Sequence, residues 1–441
     1  MEINEINYPK SVKFHKMDKK PKKQWCFFTW LAHTISVFGM GNKCKIEKIN
    51  MEGLKKTPYI ILSNHHAFQD FMVNSLATYP RRVNNIATLE GHYRRSLLLE
   101  YVGCIPKRKF TTDPHLISAC ETVLNEYKSI LSIYPEARYS PIGTTAIIPD
   151  VYASLIKRLK RPVVALVHHG NYLRAPAWNW RKQRKVKTYS TMKKILDVED
   201  IERMSVEEII DVVRRELDYN EYTWQKENNI IIDEPFRAEG LNHILYQCPN
   251  CMTEHEMTSS GTILKCNHCG KEWELTTLGE LVAKDGNTEF SHIPDWWNWE
   301  REQVRRQVEA GEYSFEDEVD VYSLPNTSKF IPLGKATFKH QPKSGFTVEG
   351  HYNGEDYKIS RPVAGMYGVH IEFDYCYVRP EPCVHISTSK DTFVCYPKKK
   401  DVVMKILFAT EELYRLEMAE RNANRAKRRL EREQKKTEDN Q

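Results

Sequence analysis

Residues 63–70 read SNHHAFQD, between the apolar run YIIL and the amphipathic segment FMVNSLATY. His65 therefore stands five positions before Asp70, where a strand is expected to stop and a helix to begin. A carboxylate in the first turn of that helix can fold back onto the imidazole. It would hold one tautomer and stabilise the imidazolium that forms when the ring takes a proton, which makes His65 a candidate general base. His66 points elsewhere on any regular local path, and Asn64 can satisfy backbone groups at the turn. The same spacing also suits an ordinary structural turn.

A second constellation lies in QCPNCMTEHEMTSSGTILKCNHCGKEWEL. Cys248 and Cys251 form one CxxC pair, and Cys266 and Cys269 form another fourteen residues on. Two such knuckles at hairpin ends bring four thiolates to a tetrahedron, the geometry that Zn²⁺ accepts. With every position filled by sulfur no coordination site stays open, so the expected zinc is structural. Binding on the order of 10 kcal/mol is enough to fold so short a segment. His255 and His268 are expected outside the ligand set, and dithiol redox chemistry is the other use of such pairs. The remaining seven cysteines are scattered without a disulfide framework, as in a reducing compartment.

These residues need elements to position them. From 46 to 238 short apolar runs (YIILS, NNIATLE, LSIYP, PVVALV) alternate with helical ones (FMVNSLATY, PHLISACETVLNEYKSIL, VYASLIKRL, MSVEEIIDVVRREL). Such alternation predicts a layered α/β domain with a mixed sheet and functional loops at strand ends. The ribbon unit is placed at 241–282 and a linker helix, WWNWEREQVRRQVEAG, within 283–314. Over 315–400 the period becomes two, which predicts an antiparallel β unit. Residues 401–441 form a closing helix, apolar on one face at first and then charged all round.

The first motif resembles that of the glycerolipid acyltransferases of the lysophosphatidic acid type, NHxSxxD at a strand end. Asn64, His65 and Asp70 match, with Ala67 in the place of Ser. GCIPKR resembles the second motif through Gly103, Ile105 and Arg108. YPEARYS resembles the third, FPEGTRS, through Pro135, Glu136 and Ser140, but Ala137, Arg138 and Tyr139 stand where Gly, Thr and Arg are usual. RPVVALV resembles the fourth, with Pro162 in place and Ala165 for the second proline. The four motifs stand in the family's order over residues 50–220. The CxxC segment is similar to the zinc ribbons.

The resemblance implies a layered acyltransferase domain. It implies transfer of a fatty acyl group from a thioester, acyl-CoA or acyl-carrier protein, to the hydroxyl of a lysophospholipid-like acceptor. His65 would deprotonate the hydroxyl and Asp70 orient it, with no acyl-enzyme because no Ser or Cys at the motif is paired with the His. Asn64, Gly103, Arg108, Glu136 and Arg138 are the implied substrate-binding residues. Arg108 leads for a phosphate contact and Arg138 follows; the alternative for Arg108 is one more surface charge in KRK. Because Tyr139 replaces the family's Arg, either Arg138 serves from a shifted position or the acceptor lacks a phosphate there.

Composition sets the wider frame. The 441 residues are 41% hydrophobic, which excludes wholesale disorder, and a net charge of +6 is too small to announce a nucleic-acid binder. The ribbon itself is acidic rather than basic, so nucleic acid is not expected as a partner. Lys19, Lys20, Lys22 and Lys23 precede WCFFTWLAHTISVFGMG at 25–41. As a helix that stretch spans about 25 Å, short of the ~30 Å hydrocarbon core, so residues 1–45 are expected to supply a basic arm and a segment lying in the membrane interface. The alternative is a buried helix of the first domain. No small-residue cleavage site follows, and the expected location is cytoplasmic, peripheral on the inner membrane face. RKQRKVK at 181–187 would meet headgroups or CoA phosphates, or form a solvated loop. The competing function is a noncatalytic zinc-ribbon scaffold or adaptor built on a degenerate acyltransferase fold.

Overall fold

A computed structural model describes residues 2–41 and 44–438. The chain divides into two compact units, and each is described by itself. One holds residues 13–297 together with 324–329. The other holds the described residues up to Val12, Asn298–Ser323 and the chain from Phe330 onward.

In chain order the elements begin with a short strand β1 (Ile3–Glu5), helix α1 (Cys26–Met40), β2 (Cys44–Ile49), β3 (Ile60–Ser63), α2 (Gln69–Thr78) and β4 (Val83–Thr88). Then come α3 (Ser96–Tyr101), β5 (Cys104–Lys107), α4 (Pro114–Glu121), β6 (Ile130–Ile133), α5 (Val151–Leu159), β7 (Val163–His169) and α6 (Asn171–Arg174). β8 (Thr188–Leu196), α7 (Val198–Arg203), α8 (Val206–Leu217) and α9 (Glu221–Glu227) complete the layered part. Helix starts follow local signals: Ser205 and Glu208 form a capping box at α8, and Asp113 caps α4 ahead of Pro114.

Seven strands make one sheet in the order β2-β8-β7-β3-β6-β4-β5. All neighbours are parallel except β7 and β8, so the sheet is mixed, as the alternating pattern predicts. β3 is central and buried throughout, and its side chains alternate between two cores. Ile60 and Leu62 pack with Val123, Leu124, Ile156, Ile209 and Val213, while Ile61 packs with Val164, Leu166, Met192 and Ala77. Both site motifs that follow β3 and β6 thus leave from the C-terminal ends of two adjacent parallel strands.

The ribbon belongs to the same unit. β9 (Met257–Ser260), β10 (Ile263–Cys266), β11 (Glu272–Leu275) and β12 (Leu281–Ala283) form an antiparallel sheet in the order β12-β11-β10-β9. It is built onto the segment that follows α9. Arg237 Nε donates to Leu275 O at 2.6 Å, Ile232 N to Thr277 O at 2.8 Å, and Ala238 N to Gly261 O at 3.0 Å. Trp273 is fully buried against Trp296, whose indole N–H donates to Gln247 O.

Helix α10 (Ile293–Glu309) leads into the second unit. There β13 (Phe315–Ser323), β14 (Ile331–Gln341), β15 (Gly345–Tyr352), β16 (Glu355–Arg361), β17 (His370–Glu372), β18 (Cys383–Ser387) and β19 (Thr392–Pro397) join β1 in an eight-stranded antiparallel sheet. The order is β1-β16-β15-β14-β13-β19-β18-β17. The antiparallel unit is as the period-two pattern predicts, but β1 pairing with Ser360, Ile359 and Lys358 was not foreseen. The closing helix α11 (Val403–Glu438) is buried as far as Leu413. Its Glu412 accepts from Arg301, Arg305 and Arg415 at 2.7–2.9 Å.

Candidate active site and metal centre

β3 ends at Ser63, and its ladder is prolonged by a side chain. Asn64 donates from Nδ2 to His168 O at 3.0 Å and accepts from His168 N at 2.8 Å, in the manner of a further backbone pair with β7. This fixes the path of the chain into His65. The His65 backbone is then clamped to the loop after β6: its N–H donates to Glu136 Oε1 at 3.1 Å, and its carbonyl accepts from Ser140 N at 2.8 Å.

The His65 ring places Nδ1 at 3.0 Å from Asp70 Oδ2. The same oxygen accepts the backbone N–H groups of His66 at 2.6 Å and Ala67 at 3.0 Å, so the turn wraps the carboxylate. Oδ1 accepts from Asn171 Nδ2 at 2.7 Å. Asp70 is fully buried, whereas the His65 side chain is 20% exposed. Nδ1–H donated to a carboxylate leaves Nε2 as the basic nitrogen, and no described hydrogen bond engages Nε2. The ring lies against Tyr134, centroids 4.1 Å apart and planes at 24°, and against Tyr139 at 4.4 Å and 52°.

Electrostatics follow from this geometry. Burial raises the Asp70 carboxyl, but the electrostatic influence of the neighbouring His168 and the hydrogen bond with His65 outweigh it, leaving the group well below the usual carboxylate range. Burial lowers His65; Asp70 opposes that through its hydrogen bond and charge, and Lys109 adds to the lowering. Glu136 is pushed up to about 7 by burial, against the two N–H groups of Ala146 and His65 that it accepts.

His66 turns away from this pair into the interior. It is fully buried, 3.9 Å from Glu221 Oε2 and stacked near Tyr219. Burial takes the imidazole down to about 3 and the Glu221 carboxyl up to about 8, so two neutral groups meet there.

The other implied substrate residues sit differently from expectation. Arg108 is buried, and its guanidinium donates to the carbonyl oxygens of Leu324 at 3.1 Å and Pro325 at 3.0 Å. It is neither the phosphate contact expected nor a surface charge, because those carbonyls, distant in sequence, take its fork. Gly103 has φ +94°, and a Cβ would lie 2.6 Å from Val83 O, so its role is close backbone packing beside β4 rather than substrate contact. Arg138 is buried beside Glu136, whose carboxyl its charge lowers. Ala137 adopts φ +57°, the left-handed conformation glycine favours, at the position where the resembled motif has Gly. Within RKQRKVK, Arg184 is buried against the carbonyls of Leu173 and Arg237, and Lys182 pairs with Glu239.

Asn171, Tyr134 and Lys109 were not singled out from the sequence, and Tyr139 was noted there only as the replacement for the motif's Arg, not as a ring against His65. Asn171 carried no signal, since it meets Asp70 only through the pairing of β3 with β7.

In the ribbon, Sγ of Cys248 lies 3.7 Å from that of Cys269, and Cys251 lies 3.7 Å from Cys266. All four sulfurs fall within 4.8 Å of one another. Zn–S bonds of about 2.3 Å put tetrahedral sulfurs about 3.8 Å apart, so the four thiolates fit an ion such as zinc. The two knuckles repeat one backbone pattern: Met252 N donates to Cys248 O and Gly270 N to Cys266 O, and Met252 and Gly270 both have positive φ.

Helix α1 is inside-out for a helix in water. Its buried residues are Thr29, Ser36 and Met40, and the two hydroxyls donate to the carbonyls four residues earlier, of Trp25 and Ala32. Gly39 permits close approach to Met72 of α2. Phe38 is 84% exposed, and Phe27, Trp30, Ile35 and Val37 also face outward. Two of the preceding lysines are ion-paired, Lys20 with Glu126 and Lys22 with Glu100. Among the described residues no helix is long and apolar enough to cross a membrane.

No family model matches the chain, and no curated protein matches it. Among solved structures, the crystal structure of the 1-acyl-sn-glycerophosphate (LPA) acyltransferase PlsC from Thermotoga maritima is similar over 43% of this chain and 78% of that one. The identity is 14% and the TM-score 0.34, a likeness that carries none of the functional reading below.

Proposed function

We propose that the chain is an acyltransferase moving a fatty acyl group from a thioester donor, acyl-CoA or acyl-carrier protein, to the hydroxyl of a lysophospholipid-like acceptor. His65 Nε2 takes the hydroxyl proton as the oxygen attacks the thioester carbon. The C–O bond forms, the C–S bond breaks, and His65 passes the proton to the departing thiolate. Asp70 holds the ring and stabilises the imidazolium in between. The observation that carries this reading is the His65 Nδ1 to Asp70 Oδ2 bond at 3.0 Å, on a ring partly open to solvent whose other nitrogen is unengaged. The described hydrogen bonds of the ring include no Ser or Cys, consistent with direct transfer.

Asn64 and Glu136 serve the reaction by holding the backbone of His65. With Arg108 committed to carbonyls, a phosphate of donor or acceptor is assigned to Lys109, whose charge reaches His65, with Arg138 behind it. The outward aromatic face of α1 is read as a shallow lipid contact, which brings the enzyme to its acceptor. The four-cysteine ribbon is read as a structural zinc site.

The scaffold reading is favoured by one observation, the withdrawal of Arg108 from any substrate. Incubation with labelled acyl-CoA or acyl-carrier protein and a panel of lysolipids distinguishes the two. Labelled diacyl lipid is expected. No transfer from either thioester to any hydroxyl acceptor supports the scaffold instead.

A further inference from the structure

The last helix carries a feature that acyl transfer does not use. Residues 421–436 contain eight Lys and Arg against two Glu, a net +6. The whole chain, with 65 Lys and Arg against 59 Asp and Glu, also has a net +6, so the rest of the molecule is balanced. This segment is helical throughout and lies beyond Leu413, where α11 ceases to be buried; residues 421–428 are all exposed. The one ion pair described there, Arg421 with Glu417, lies within the helix itself.

The charge is not spread evenly. At about 100° per residue, positions 421, 425, 428, 429, 432, 435 and 436 fall within an arc of about 120°, and only Lys427 of the eight lies outside it. The stripe runs for about 22 Å along the helix. The opposite arc carries the small seam Leu416, Ala419, Ala423, Ala426 and Leu430, too thin in apolar surface to insert deeply. A stripe on one side of a helix matches a flat polyanion. A nucleic-acid groove would instead meet phosphates on both flanks of the helix.

We infer that the C-terminal half of α11 is a docking surface for an anionic lipid bilayer, lying along it through this basic stripe. It shares the lipid surface with the α1 reading but rests on a different element and a different force. The α1 contact is apolar and acts on neutral lipid. The stripe acts only where headgroups carry negative charge, each Lys or Arg contributing modestly and all of them screened by salt.

The test uses the full chain with sedimentable vesicles of phosphatidylcholine, with and without phosphatidylserine. The readout is the increment in binding that the anionic lipid adds. The increment is expected to vanish at high salt, and to weaken on the order of a thousandfold in the Arg421→Gln, Arg425→Gln, Arg428→Gln, Arg429→Gln variant. Acyl transfer in neutral detergent micelles is expected to stay unchanged in that variant. If the α1 reading alone fails, binding to phosphatidylcholine is absent while the anionic increment remains. An increment equal in wild type and variant, or one indifferent to salt, overturns the inference. So does retention by nucleic acid with no vesicle binding, or a dimer in solution with no vesicle binding, which would assign the helix to a second copy.

Discussion

Asn171 and Asp70 are joined across 101 residues of chain by one hydrogen bond of 2.7 Å. Asn171 opens α6 immediately after β7, and Asp70 stands in the first turn of α2 after β3. The parallel pairing of those two strands therefore sets the distance between them. With Oδ2 occupied by His65 and two backbone N–H groups, Asn171 is the donor on the other carboxylate oxygen, and it fixes which way Asp70 faces.

Removal of that donor should tilt the carboxylate without touching substrate. Asn171→Ala is expected to lower kcat by about tenfold, the equivalent of one lost hydrogen bond to a charged group, with KM little changed. Steady-state kinetics with the full chain checks this. A rise in KM with kcat intact would remove Asn171 from its positioning role.

The pH dependence has a definite sign. A general base works neutral, and burial and Lys109 hold His65 below its ordinary value. The acid limb of kcat/KM is thus expected below pH 6.5, the ordinary imidazole value. Lys109→Met removes an opposing positive charge and should move the limb upward. Asp70→Asn removes the partner that favours the imidazolium and should move it downward while the rate falls. Limbs that coincide in all three proteins would mean that another group titrates.

Glu221 makes a stability prediction. Its folded pKa of about 8 lies above the unfolded value near 4.3, so the folded state keeps a proton that the unfolded state has lost. Its contribution to stability is therefore complete below the unfolded value and falls as pH rises toward 8. Glu221→Gln should abolish that fall. Thermal melts are expected to show the variant more stable than wild type at pH 8, by on the order of a few kcal/mol, and no more stable near pH 4. The reverse order would mean that the carboxylate is ionised in the folded protein.

The ribbon should matter to the site. Arg237 and Gln225 bond to the carbonyls of Leu275 and Thr277, Tyr222 of α9 meets Tyr172 of α6 at 3.3 Å, and Asn171 leads α6. Native mass spectrometry is expected to find one zinc, lost in Cys251→Ser. Acyl transfer is expected to fall with it, because the strut behind α9 loosens. Full activity after complete metal loss would sever this connection.

Much of this arrangement was legible in the sequence where chemistry and periodicity are local. The run YIIL marks a strand buried on both faces, the five-residue step from His65 to Asp70 is one turn, and two CxxC knuckles define their own geometry. What escaped was set by pairing at long range. Arg108 reads as a phosphate ligand until Leu324 and Pro325 arrive 216 and 217 residues later to take its N–H groups. Ile3–Glu5 is too short and polar to read as a strand without its partner β16. The basic face of α11 was hidden because its charges gather into one arc only when the turn of the helix is applied, whereas along the sequence the segment reads as charged all round.

The central claim is that one imidazole moves the proton. The most direct measurement is single-turnover transfer from labelled acyl-CoA to the preferred lysolipid by wild type and by His65→Ala, at equal fold stability. A loss of about 10² to 10⁴ in the rate of the chemical step is predicted. Equal rates in the two proteins would contradict the account.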